Sequence, residues 1–170
     1  MSRIDAVASS MFLIFLFSCG AQAKDRKLSC DDWTSKIDLT IVREADFEPL
    51  SLPDNQKLAG VACLLALETN HHEARISGAT RSEVSQMFPP ATADVAALFY
   101  ISYIFTKNWT HGDAIALWGH EGRINNADDI SLAYQKYREW FKRVSKIGWK
   151  KAQKEGIQPL ANCPVSWYGK

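Results

Sequence analysis

Residues 92–107, TADVAALFYISYIFTK, decide the fold class of this chain. Thr92 is a helix-capping residue, and the run from Val95 to Phe105 is apolar on nearly every side. A helix of that kind has no face to offer water and belongs inside a shell of other helices. The expectation is an all-α fold: a single compact domain of five or six helices packed around this central helix, following a cleaved signal peptide.

The flanking segments supply the shell. From Asn126, a cap, Asp128 and Asp129 suit the positive end of a helix dipole, and apolar residues recur at Ile130, Ala133, Tyr134, Tyr137, Phe141, Val144, Ile147 and Gly148. Those spacings of three and four hold for about five turns. Upstream, Asp54 or Asn55 caps a helix with Leu58, Val61, Ala62, Leu65 and Ala66 on one face, and Leu64 and Leu67 widen it. Trp33, Ile37 and Ile41 suggest a first helix beginning near Ser29, ended by the bend at Pro49 and Pro53. Thr80-Arg81-Ser82-Glu83 has the form of a capping box opening a short helix that Pro89-Pro90 ends. Thr110 caps another that runs through Trp118, which is expected in the core, and stops at Gly119 and Gly122. Strand-like alternation, internal repeats and linkers are not visible.

The N-terminus reads as an address. Met11 to Phe17 is a seven-residue apolar run, too short for the ~20 residues that span a bilayer. Its length suits a signal peptide, and Ala21-Gln22-Ala23 has the A-x-A form of a cleavage site. The expected division is residues 1–23 as signal and 24–170 as one helical domain, placed in the periplasm or secreted. Leu16-Phe17-Ser18-Cys19 also resembles the lipobox of bacterial lipoproteins, which implies lipidation at Cys19 and a membrane anchor instead.

A formal charge of +1 over 170 residues gives no global reason to expect nucleic acid or a membrane surface as partner. Cysteine usage is more informative. Cys30, Cys63 and Cys163 remain in the domain under either cleavage, and export would let disulfides persist. Cys63 lies in an apolar helix, where a free thiol behaves as a small hydrophobe. Cys30–Cys163 is therefore the favoured pairing, with Cys30–Cys63 the alternative.

Four histidines invite a metal reading: His71, His72, His111 and His120, three of them beside carboxylates. Their spacing matches no metal motif, and capping or helix-end roles explain them, so they stand as candidates only and no metal or cofactor is expected. Glu68 and Glu73 are the carboxylates that a glycan hydrolase could use as acid. There is no G-x-S-x-G elbow, no cysteine in a basic setting and no glycine-rich phosphate loop, so no catalytic residue is assigned.

Two features point to binding. The last helix carries Lys136, Arg138, Lys142, Arg143, Lys146, Lys150, Lys151 and Lys154, against Glu139 alone in that span. Such a face suits an acidic partner. Six tryptophans accompany it, a residue type enriched where proteins bind one another. Lys142, Arg143, Lys146, Trp149 and Lys150, with Trp109 and His111, are the candidate partner-binding residues. In size, signal, cysteines and helicity the chain resembles the small periplasmic immunity proteins that accompany secreted antibacterial effectors. That resemblance, one of general architecture, implies an inhibitor of a cell-wall- or membrane-targeting enzyme. A peptidoglycan hydrolase and a lipid-anchored envelope assembly factor are the alternatives.

Overall fold

The computed structural model describes residues 27–35, 37, 48–74, 88–107 and 115–168. Within them lie five α-helices: α1 (Cys30–Ser35), α2 (Asp54–Leu65), α3 (Ala93–Thr106), α4 (Ala127–Ile147) and α5 (Trp149–Lys154). Two short strands, β1 (Leu117–Trp118) and β2 (Ser166–Trp167), pair antiparallel. The fold is mostly helical, and among the described residues no helix is long and apolar enough to cross a membrane. The signal segment, Cys19, and the expected helix starts at Thr80 and Thr110 lie outside the described residues, as do Ile41, Trp109 and His111.

Helix α3 is buried at every position from Ala93 to Phe105, as its uniform apolarity requires. Its N-terminus is held by the chain that enters it. The amides of Ala93 and Asp94 donate to the carbonyls of His72 (2.8 Å) and Asn70 (3.0 Å), so α2 runs antiparallel to α3. The hydroxyl of Tyr134 donates to the Asp94 carbonyl (3.0 Å), and the Phe105 and Trp140 rings meet edge to face at 4.9 Å. Helices α3 and α4 therefore run in the same direction.

Between them sits a polar knot in the core. The hydroxyls of Ser102 and Tyr137 are hydrogen-bonded, and Trp167 Nε1 donates to both oxygens at 3.0 Å. This ties α3, α4 and β2 through groups that burial would otherwise leave unsatisfied.

Helix α4 follows the expected stripe, and Asn126 caps it by accepting from the Asp128 amide at 3.1 Å. It stops at Ile147 because Gly148 adopts φ 91°, and α5 restarts at Trp149. Trp140 also turns inward and is buried. The face of α2 differs from the expected one. Lys57, Gly60, Val61, Leu64 and Leu65 point inward, while Ala62 and Ala66 are exposed. The rotation follows from α1, whose Trp33 indole lies directly on Gly60; a β-carbon there would sit 2.2 Å from the ring.

The same packing corrects the disulfide. Cys30 bridges Cys63, with Cα atoms 5.3 Å apart, and Cys163 is free. Trp33 on Gly60 brings the start of α1 against the middle of α2, whereas Cys163 packs against the core from the C-terminal segment. Cys63 is accordingly not the free apolar thiol expected of it.

Candidate functional site

The segment from Ile115 to Asn125 does not extend a helix, as its apolar run suggested; it forms a braced loop. Leu117 and Trp118 are extended, and a strand's alternation sends Leu117 into the core and Trp118 outward. Short apolar runs cannot distinguish a strand from a buried helix turn. Here pairing on both sides decides. Leu117 faces Trp167 and Trp118 faces Ser166 in β2, while Trp118 also bridges Ile124 on the returning chain.

The loop is held from several directions. The Leu117 amide donates to the Asn125 side-chain oxygen (2.9 Å), the Asn125 amide to the Leu117 carbonyl (2.9 Å), and the Gly119 amide to the Arg123 carbonyl (2.8 Å). A 3-10 turn over His120–Gly122 reverses the chain, with Glu121 at φ 60° and Gly122 at φ 74°. A left-handed glutamate costs about 1–2 kcal/mol, so the surroundings must impose it. Gly119 packs directly on buried Asp129 of α4, where a β-carbon would fall 2.0 Å from Oδ2. Arg123 approaches the same carboxylate at 3.9 Å.

Trp118 is 39% exposed, the one large hydrophobic side chain so exposed among the described residues. Its ring leans on Tyr168 at 5.7 Å, which in turn meets Phe88 at 4.7 Å. An aromatic surface, mounted on fixed backbone and flanked by exposed His120, Glu121 and Arg123, can fill a partner's apolar recess with little loss of freedom. The expectation that Trp118 belongs to the core is thus corrected.

The basic face divides into paired and unpaired cations. Arg138 pairs with Glu68, Lys136 with Glu139 (2.9 Å) and Lys151 with Glu155 (3.9 Å). Lys142, Arg143, Lys146 and Lys150 are exposed and make no ion pair among the described residues. Trp149 is not among the surface groups. It is 2% exposed and stacks edge-on against Phe105 and Trp140, because Gly148 turns the chain back onto the core. The free cations of α4 lie near its C-terminal end, about 20–25 Å from Asp129 under the Trp118 loop at 1.5 Å rise per residue.

The described histidines, His71, His72 and His120, sit in different settings. His71 gives Nδ1 to buried Asp94 at 2.9 Å, a carboxylate that also accepts from the Thr92 hydroxyl and the Val95 amide. That cluster latches the α2–α3 connection to the first turn of α3. His120 stands on the 3-10 turn, and His72 borders an open groove of about 260 Å³ beside α1. Among the described residues no three His, Cys, Asp or Glu side chains are grouped as metal ligands would be. Glu68 is engaged by Arg138, and Glu73 is an exposed residue bridged through its backbone to Thr92.

A scan against protein-family models, a search of curated proteins and a search of solved structures each found no match.

Proposed function

We propose that this chain is an exported bacterial envelope protein that binds a protein partner, acting as an inhibitor or immunity protein against a cell-wall- or membrane-targeting enzyme. The observation that carries the reading is Trp118, a solvent-facing indole on a loop whose backbone is fixed before any partner arrives. Export is supported by the N-terminal signal features of the sequence, and the Cys30–Cys63 bridge is compatible with an oxidising compartment.

The arrangement separates two tasks. Trp118 supplies short-range anchoring, while Lys142, Arg143 and Lys146 attract an acidic partner from a distance. Substituting Trp118→Ala should weaken the complex by about 30-fold or more, chiefly through faster dissociation. Reversing charge at Lys142 and Lys146 should instead slow association and reduce its salt dependence.

The test pairs the purified protein with the product of the neighbouring gene. A tight complex, lost in Trp118→Ala, together with protection of cells that express the protein in the periplasm, supports the reading. Release of soluble fragments from purified cell wall by the protein alone would instead establish the hydrolase alternative.

A further inference from the structure

The end of the molecule where α2 begins and α3 ends holds a lysine that nothing among the described residues accounts for. Lys57 opens the buried stripe of α2 that continues through Gly60, Val61, Leu64 and Leu65, and the residue is 7% exposed. No hydrogen bond or ion pair reaches its ammonium among the described residues. Nor is that ammonium one of the sealed, partnerless polar atoms, so its tip keeps an opening to solvent while its stem packs inside.

Three features of its surroundings repel a cation. Lys57 stands in the first turns of α2, at the positive end of the helix dipole, and the N-cap Pro53 offers no side-chain acceptor to the free amides there. Lys107 occupies the left-handed C-cap of α3, at the same end of the molecule and near enough for its charge to act on Lys57. Lys150 sits in the first turn of α5, which packs on α2 and is fastened to the end of α3 by the Gln153 side-chain amide on the Phe105 carbonyl and by Trp149 on Phe105. Neither Lys107 nor Lys150 has an ion-pair partner among the described residues, and Asp54, one turn away, is the nearest acid on the same helix. Burial lowers the Lys57 pKa from its ordinary value; Asp54 opposes that shift, and the charges of Lys107 and Lys150 add to it.

A fold that gathers three cations, unpaired among the described residues, around the amino end of a helix, and buries one of them, is arranged for an anion that completes it. We propose that Lys57, Lys107 and Lys150 form a binding site for a phosphate-type oxyanion, seated where the first turn of α2 meets the C-cap of α3 and the start of α5. Inorganic phosphate and a phospholipid headgroup present the same chemistry, a tetrahedral anion able to take hydrogen bonds from several ammonium groups and backbone amides. The site is independent of the Trp118 loop at the other end of α4.

The test measures melting temperature and amide chemical shifts of the purified protein in phosphate, against chloride at matched ionic strength to remove general screening. Phosphate is expected to bind saturably in the millimolar range or tighter, with shifts centred on residues 54–58, 107 and 150. Lys57→Met should weaken binding at least about tenfold and leave the phosphate-free protein as stable as wild type or more so, since it removes a repelled charge while keeping the stem. Lys150→Glu, at an exposed position, should produce the same loss without touching the core. Sedimentation with phosphatidylglycerol vesicles, against phosphatidylcholine vesicles, separates the sources: binding lost in Lys57→Met identifies a lipid headgroup, and no vesicle binding identifies a free anion. The proposal is overturned if phosphate acts no differently from chloride, if both variants bind it unchanged, or if Lys57→Met melts below wild type without phosphate.

Discussion

Tyr137 carries a hydroxyl into the core and finds it two partners, Ser102 and Trp167. Burial pushes its pKa well above the ordinary phenol value, and the two hydrogen bonds only partly offset this. Tyr134 is shifted the same way, by burial first and by the Asp94 carboxylate next. Unfolding lets both phenols titrate near their ordinary value of about 10. Their contribution to stability is therefore complete below about pH 10 and is lost as pH rises beyond it, at roughly 1.4 kcal/mol per pH unit for each tyrosine. Tyr137→Phe should remove that residue's share of the loss, about 1.4 kcal/mol at pH 11, as read from urea melts between pH 9 and 11. At neutral pH it should cost about 1 kcal/mol, because Trp167 Nε1 still reaches Ser102 Oγ at 3.0 Å. An unchanged alkaline slope would show that Tyr137 does not titrate on unfolding in this range.

Among the described residues, elements meet closely at two glycines, and each contact fixes a neighbouring geometry. At the first, Gly119 lies on Asp129, so the Trp118 loop is seated on the first turn of α4. Gly119→Ala must displace either the carboxylate or the loop. We expect a stability loss of about 1–3 kcal/mol and, more tellingly, weaker partner binding with the indole of Trp118 still present. Full binding by this variant would mean that the brace is irrelevant. The second contact places Trp33 on Gly60 and so aligns Cys30 with Cys63 across 33 residues of sequence. Loop-entropy arguments assign such a bridge about 3–4 kcal/mol, so reduction should lower the melting temperature by about 10 °C. Replacing Cys163 by Ser should leave the effect of reduction intact, since that thiol is free.

Among the described residues, most charge is sorted along the helix axes, with Asp54 and Arg123 as exceptions. Lys57, Lys107, Lys142, Arg143, Lys146, Lys150 and Lys154 collect where α3 and α4 end, while Glu68, Asp94, Asp128 and Asp129 collect where they begin. For α3 and α4 this order complements the helix dipoles; for α2, which runs the other way, it does not, and Lys57 is where the conflict falls. A partner drawn by the basic end should associate several-fold more slowly as ionic strength rises from 50 to 300 mM, with dissociation little changed. Stopped-flow mixing tests this, and dissociation carrying the whole salt effect would contradict it.

Much of this was written in periodicity. The apolar run at 95–105 can only be satisfied inside other structure, and the stripe from Ile130 to Val144 has one arrangement that buries it, so helix, core and cap at Asn126 are legible without coordinates. What periodicity could not decide is anything that depends on a neighbour remote in sequence. The face of α2, the partner of Cys30, the turn of Trp149 into the core and of Trp118 out of it each follow from which element arrives alongside. The apolar run Leu58–Leu65 of α2 reads equally well from several sides until Trp33 occupies one of them. Likewise, Leu117-Trp118 pairs as a strand with residues 166–167, nearly fifty positions later, as well as with the nearby returning chain at Ile124. Local pattern determined what this chain buries; tertiary pairing decided what it leaves exposed, and the exposed groups are those through which it can act.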